Sequence, residues 1–169
     1  MISKDLSSTT LIAVTAVMAA LVTVTTLLIQ IPIPATDGFF NVGDGMIMVA
    51  ALSFGPIVGA LAGGLGSALA DFAGGWYVWI LPTLIIKGLE GLIAGRIRQS
   101  GESFFVMMVA WVMGGLVMVT GYFLVQVYLY GLSGALVELP FNVVQMAVGG
   151  VVGIPIAQIV QRLRLLIPS

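Results

Sequence analysis

A lysine and a glutamate, Lys87 and Glu90, stand three residues apart inside LPTLIIKGLEGLIAG at residues 81–95, a run that otherwise reads as lipid-buried helix. An intramembrane lysine costs roughly 2.5–3.5 kcal/mol on insertion scales, so such a residue marks a functional site by default. The two could simply neutralise each other across one helical turn, but two apolar residues would sit there more stably. Other polar side chains recur at helical spacing. Trp79, Thr83, Lys87 and Glu90 share one face of their segment, and Met118, Tyr122 and Gln126 share a face of the next. Glu138, Asn142, Gln145 and Gly149 do so on the last segment, and Thr23, Thr26 and Gln30 line the first. Side-chain amides turned towards lipid would lose their hydrogen bonds, so these stripes must face one another. Their chemistry is recognition: a charge and several hydrogen bonds to fix a small molecule, with rings to flank it. Nucleophilic catalysis has little to work with. The chain has no cysteine and no histidine, which excludes a thiolate, a Ser-His pair and sulfur or imidazole metal sites. Asp44 and Asp71 could be read as an aspartyl pair. However, NVGDG at residues 41–45 lacks the first glycine of a GxGD motif, and Asp44 falls at a helix end, where aspartate serves as an N-cap. No metal or organic cofactor is expected.

The elements that must position these groups are apolar. Of 169 residues 60% are hydrophobic and 8% charged, with a mean hydropathy of +1.17, against about 25% charged in a soluble domain. This is the composition of an all-α integral membrane protein, multi-pass in the cell membrane, with the lipid bilayer as its solvent. A net charge of −1 and the lack of any basic run exclude nucleic acid as a partner. The N-terminal apolar stretch is about a full span long without a small-residue cleavage site, and reads as a retained first helix. Breaks at charge, Pro and Gly predict six transmembrane helices over about residues 10–31, 45–54, 56–72, 78–94, 104–130 and 139–163. The whole chain, 1–169, is then a single six-helix membrane domain, with an extracellular loop over 31–44. The second segment falls short of the ~20 residues a span needs, so it must be tilted, broken or packed against protein.

Lys and Arg resist translocation, and this sets the orientation. With both termini cytoplasmic, Lys4, Arg96, Arg98, Arg162 and Arg164 all fall inside, and Lys87 is the one exception among six basic residues. The outer loops then carry Asp37, Glu138, Phe39, Phe40, Trp76 and Tyr77. Small residues one turn apart predict close helix packing: Gly59, Gly63 and Ser67 with Ala62, Gly66 and Ala70 in the third segment, and Gly149, Gly153 and Ala157 in the sixth. Ala16 and Ala20 make a similar pair on the first, open either to internal packing or to a partner helix. The polar groups lie between mid-bilayer and the outer surface, and the inner halves carry almost none. That favours an outward-open pocket over a self-sufficient channel or small transporter, or a structural subunit. The chain also lacks the G-x-x-x-x-G-K-[ST] loop of an ATPase.

Residues 40–95 resemble the substrate-binding S component of energy-coupling factor (ECF) vitamin transporters. The resemblance rests most on VGD at 42–44, FGPIVGALAGGLGSALAD at 54–71 and KGLEG at 87–91, and in size and layout it covers the whole chain. The nearest branch is that of hydroxymethylpyrimidine, pyridoxine or riboflavin uptake; the absence of histidine counts against thiamine. The resemblance implies a subunit that captures a vitamin or precursor and docks on an ECF transmembrane scaffold protein with two ATPase subunits. Ala16 and Ala20 match the scaffold-contacting motif, and the loop IPIPATDGFFN, ending at Asn41, matches the lid. Implied ligand contacts come from that loop and the fourth to sixth helices. Lys87 would meet an acceptor on the ligand, and Glu90 would orient Lys87 or close the pocket floor. Thr83, Tyr122, Gln126, Asn142 and Gln145 would complete the hydrogen bonds, and Trp76 and Trp79 would stack on the ring.

Overall fold

The first helix, α1 (Ser8–Leu28), opens on Ser7, whose hydroxyl accepts from the Thr10 amide at 3.2 Å and satisfies one of the free N–H groups of the first turn. The computed structural model describes residues 7–33, 36 and 38–166; Lys4 and Asp37, and the side chain of Arg164, lie outside the described residues. After α1 the chain forms an antiparallel hairpin of β1 (Gln30–Ile33) and β2 (Gly38–Asn41), registered from Gln30 opposite Asn41 to Ile33 opposite Gly38. The expected loop is therefore partly sheet, and the fold is mainly rather than wholly α. Pro32 is compatible with this, because each strand of a two-stranded ribbon has an unpaired edge where a missing N–H costs nothing.

Helix α2 (Asp44–Phe54) ends at Gly55, whose φ of 91° turns the chain directly into α3 (Pro56–Gly74) with Pro56 in the first turn. A 3₁₀ turn (Tyr77–Trp79) leads into α4 (Ile80–Arg98), and α5 runs Phe104–Leu166. A continuous helix of 63 residues would be about 95 Å long, three times a ~30 Å hydrocarbon core. Instead Gly131, at φ 74° and ψ 176°, leaves helical geometry and folds α5 back on itself. The halves, 104–130 and 132–166, run antiparallel: the Trp111 indole donates to the Met146 carbonyl at 2.8 Å, and Asn142 Nδ2 to Gln126 Oε1 at 3.3 Å. The loop expected between residues 130 and 139 is thus one glycine, and Glu138 stands on a helix rather than in a loop. Within residues 132–139 Gly134 is the one poor helix former and it stays helical, so Gly131 alone makes the reversal.

Among the described residues four helices are long and apolar enough to cross a membrane: Ser8–Leu28, Pro56–Gly74, Tyr77–Arg98 and Phe104–Leu163, the last broken at Gly131. Helix α2 has only 11 residues, about 16 Å, and it is the axis of the bundle. Met48, Ala51 and Leu52 pack with Ala94 of α4 and with Met107, Ala110, Ile154 and Ala157 of α5. On its other side Val49 and Ala50 meet Met18 of α1 and Val58 and Ala62 of α3. A half-length helix is tolerated because its ends meet protein rather than lipid. The small-residue rows of α3 and the second half of α5 are internal packing. A Cβ on Gly59 would lie 2.7 Å from the Gly91 carbonyl oxygen of α4, and one on Gly149 would lie 3.0 Å from Asp44 Cβ. Ala16 and Ala20 lie on the exposed face of α1.

Candidate functional site

Lys87 is 2% exposed and its ammonium is held by two carboxylates, Asp44 at the start of α2 and Glu90 at 3.1 Å on its own helix. Both acids are 1% exposed, and the Tyr122 ring centroid lies 5.5 Å from Nζ. Asp44 is therefore an ion-pair partner and not a cap: the N-cap position is Gly43, with no side-chain cap bond. It is one residue inside the helix, where its side chain turns to α4 instead of back to the first amides. Nor does it form an aspartyl pair lining a site with Asp71, since it lies beneath the pocket and is engaged by Lys87.

Above this triad, at the hairpin end of the bundle, lies a polar pocket with about 440 Å³ of empty space, mouth included. Lys87 forms part of its wall, with Thr83 one turn before it on α4 and Trp79 just ahead of α4, at the end of the 3₁₀ turn. The first half of α5 adds Tyr122 and Gln126, and the second half adds Glu138, Asn142 and Gln145. Gly38, Phe39 and Asn41 of the hairpin close one side, and Thr26 of α1 with Ser67 and Asp71 of α3 close another. The basic residues Arg96, Arg98 and Arg162 lie at the opposite end, where Arg98 donates to Gln161 at 3.0 Å and Gln161 to the Leu52 carbonyl at 3.0 Å.

Eight residues singled out from the sequence thus share one pocket: Lys87, Trp79, Thr83, Tyr122, Gln126, Asn142, Gln145 and Asn41. Glu90 and Trp76 do not line it. Glu90 sits below, on Lys87, and Trp76 stacks behind Phe39 with ring centroids 4.8 Å apart while its indole donates to Gln30 at 3.3 Å. Ser67 and Asp71 were not among the expected ligand contacts. Their helix reads as a small-residue packing helix, and only the polar positions at 67 and 71, one turn apart, could have signalled a wetted edge.

The polar groups are largely organised among themselves. Gln145 Oε1 accepts from the Asn41 amide at 3.1 Å and from its side chain at 3.3 Å, while Asn41 Oδ1 accepts from the Gly43 N–H at 2.9 Å. Thr36 donates to Glu138, tying the hairpin turn to α5. The Tyr122 hydroxyl donates to Thr83 at 3.0 Å. Rings flank this network: Trp79 lies 5.7 Å from Tyr122 and 6.2 Å from Tyr130 between centroids. Such a site is preorganised for binding a small molecule.

An apolar helical bundle closed around one polar, ring-lined pocket defines an integral membrane protein built to hold a small polar molecule. Residues 6–162 match the family described as ECF-type riboflavin transporter, S component, and the chain belongs to that family. It is thus a multi-pass membrane S component, the substrate-binding subunit of an ECF-type transporter. Among its relatives, the thiamine precursor transporter HmpT of Lactococcus lactis subsp. cremoris is 32% identical over 161 residues, covering 95% of this chain and 91% of that protein. An uncharacterized protein in gap 3'region of Pyrococcus woesei is 48% identical over 132 residues, covering 78% of this chain and 88% of that one. The solved S component of a bacterial ECF transporter superposes with a TM-score of 0.76 at 18% identity, covering 93% of this chain and 98% of the other, and so shares its fold.

Proposed function

We propose that this chain captures a vitamin or vitamin precursor, a small heterocycle, from outside the cell and delivers it to an ATP-driven coupling module. The observation that carries this reading is the polar pocket at the hairpin end, set against an opposite half filled by apolar side chains of α2, α4 and α5. A molecule can enter such a site but finds no polar path onward, which suits capture rather than conduction. The basic end faces the cytoplasm under the positive-inside rule. The pocket then opens outward and the hairpin over residues 31–44 is its lid. Counting both halves of α5 and the short α2 gives the six-helix layout with both termini inside.

In this reading Trp79 and Phe39 sandwich the ring, with Trp76 buttressing Phe39. Thr83, Tyr122, Gln126, Asn142, Gln145 and Asn41 supply and orient hydrogen bonds. Lys87, with both near partners already carboxylates, closes the pocket floor as part of a buried charge cluster, and Glu90 holds it there. Ala16 and Ala20 present a smooth stripe to the transmembrane scaffold protein that carries two ATPases. A thiamine precursor, the cargo in HmpT's name, falls within the proposed class of ligand. Mass spectrometry of the small molecule released on denaturing detergent-purified protein tests the reading. One stoichiometric heterocycle is the expected result. An empty protein that also binds nothing from a vitamin and precursor panel overturns it.

A further inference from the structure

A second cavity lies on the lipid-facing side of the bundle, behind the polar pocket. It is a groove between α4 and the first half of α5, with about 690 Å³ of empty space, mouth included. Ile86 and Leu89 form one wall, and Met113, Val117, Thr120 and Leu124 form the other. Gly121 is its floor, where the two helices meet closely: a Cβ there would lie 3.0 Å from Ile86 Cγ1. Apart from the Thr120 hydroxyl, the lining side chains are apolar. Ile86 and Gly121 line the groove while their chain neighbours Lys87 and Tyr122 line the polar pocket, so the two cavities stand back to back.

The groove has the length of one leaflet. From Met113 to Leu124 the helix rises about 16 Å, and half of a ~30 Å hydrocarbon core is about 15 Å. One end of it meets a positive charge. A Cβ on Gly114 would lie 3.0 Å from Ala94 Cβ, which sets residue 114 of α5 level with residue 94 of α4. Arg96 stands half a turn beyond that level, at the basic end of the bundle, and two turns from Leu89, hence on the same helix face. Arg96 is exposed and takes part in no ion pair among the described residues, whereas Arg98 beside it is held by Gln161.

From this we infer that the groove binds one acyl chain of an anionic phospholipid, whose headgroup pairs with Arg96 at the basic end of the bundle. The apolar walls take the hydrocarbon, and the guanidinium suits a phosphate through its paired N–H donors. The rims do not suit a partner helix. Leu89, Leu116 and Leu124 stand exposed along them, and a helix would need small residues there for its backbone to approach. A flexible hydrocarbon chain fits between such leucines. The site is independent of the capture reading, since the groove shares no lining residue with the polar pocket.

The test is native mass spectrometry of the full-length protein released from detergent, titrated with phosphatidylglycerol and with phosphatidylcholine of identical chains. Wild type is expected to hold one phosphatidylglycerol about fivefold more tightly than phosphatidylcholine, the effect of one basic side chain beside an anionic lipid. Arg96→Gln is expected to remove that preference. Arg162→Gln, at an exposed arginine of the same end that lies off the groove, is expected to keep it. Val117→Phe and Thr120→Phe each fill the groove and are expected to weaken both lipids about tenfold, with the preference kept. Bound fractions are read on the compact folded monomer, so loss of folded protein does not imitate loss of lipid. Equal affinity of wild type for the two lipids, an Arg162→Gln effect as large as that of Arg96→Gln, or unaltered binding in both Phe variants overturns the inference. So does a dimer that the Phe variants dissociate, which would make the groove a contact between copies of this chain.

Discussion

At the residue scale, Lys87 is a structural keystone before it is anything else. One ammonium sits between two carboxylates that would otherwise face each other in the buried centre of the bundle, and offsets their repulsion. Removing one partner of a buried ion pair costs about 3–5 kcal/mol because it leaves uncompensated charge. Lys87→Ala is therefore expected to lower stability by about that amount in detergent thermal unfolding. Adding Asp44→Ala and Glu90→Ala to it should recover part of the loss. A Lys87→Ala protein as stable as wild type would show that the cluster is not held as described. The Lys87–Glu90 half of this arrangement was legible from spacing, since i and i+3 meet on any helix. The Asp44 half was not, because the partner lies 43 residues away and only the docking of α2 against α4 brings it close. From sequence alone, an aspartate at a helix start looks like a cap.

At the element scale, the hairpin turn is fastened by a side-chain bond from Thr36 to Glu138, in addition to the pairing of Asn41 with Gln145 and of Gln30 with Trp76. Thr36→Val keeps the shape of the turn and removes the donor. Hydrogen bonds to charged groups contribute about 1.5–3 kcal/mol, so ligand release should speed up about tenfold or more in stopped-flow fluorescence, with affinity falling in step. Unchanged release would mean that the hairpin does not gate the pocket through this contact. The helices were legible because Pro56, the glycines and the charges at residues 96–102 punctuate them clearly. The hairpin was hidden because IPIP offers two prolines where strands usually show β-branched residues. The reversal in α5 was misread for a related reason. A polar, glycine-bearing stretch near residue 131 looks like a loop, yet one glycine with positive φ turns the chain and helix resumes at once.

At the scale of the whole molecule, the bundle keeps its two kinds of surface apart. The pocket is built from the ends of α1, α3, α4 and α5 with the hairpin, while Ala16 and Ala20 face outward from α1. Bulky residues on that stripe should block docking without touching capture. Ala16→Trp with Ala20→Trp is expected to keep wild-type ligand affinity in detergent and to abolish uptake in cells that supply the coupling module. Retained uptake would move the docking surface elsewhere. The folded-back α5 has a consequence for descent as well. Tyr122, Gln126, Glu138, Asn142 and Gln145 come from opposite walls of the pocket but lie within 24 consecutive codons, 122–145, joined through Gly131. A single short recombination tract could therefore replace both α5 walls of the binding site at once, leaving the α1 stripe and Asp71 on α3 as inherited. Cargo preference in such a lineage can change by exchange of one cassette, without the helix packing beneath it having to evolve anew.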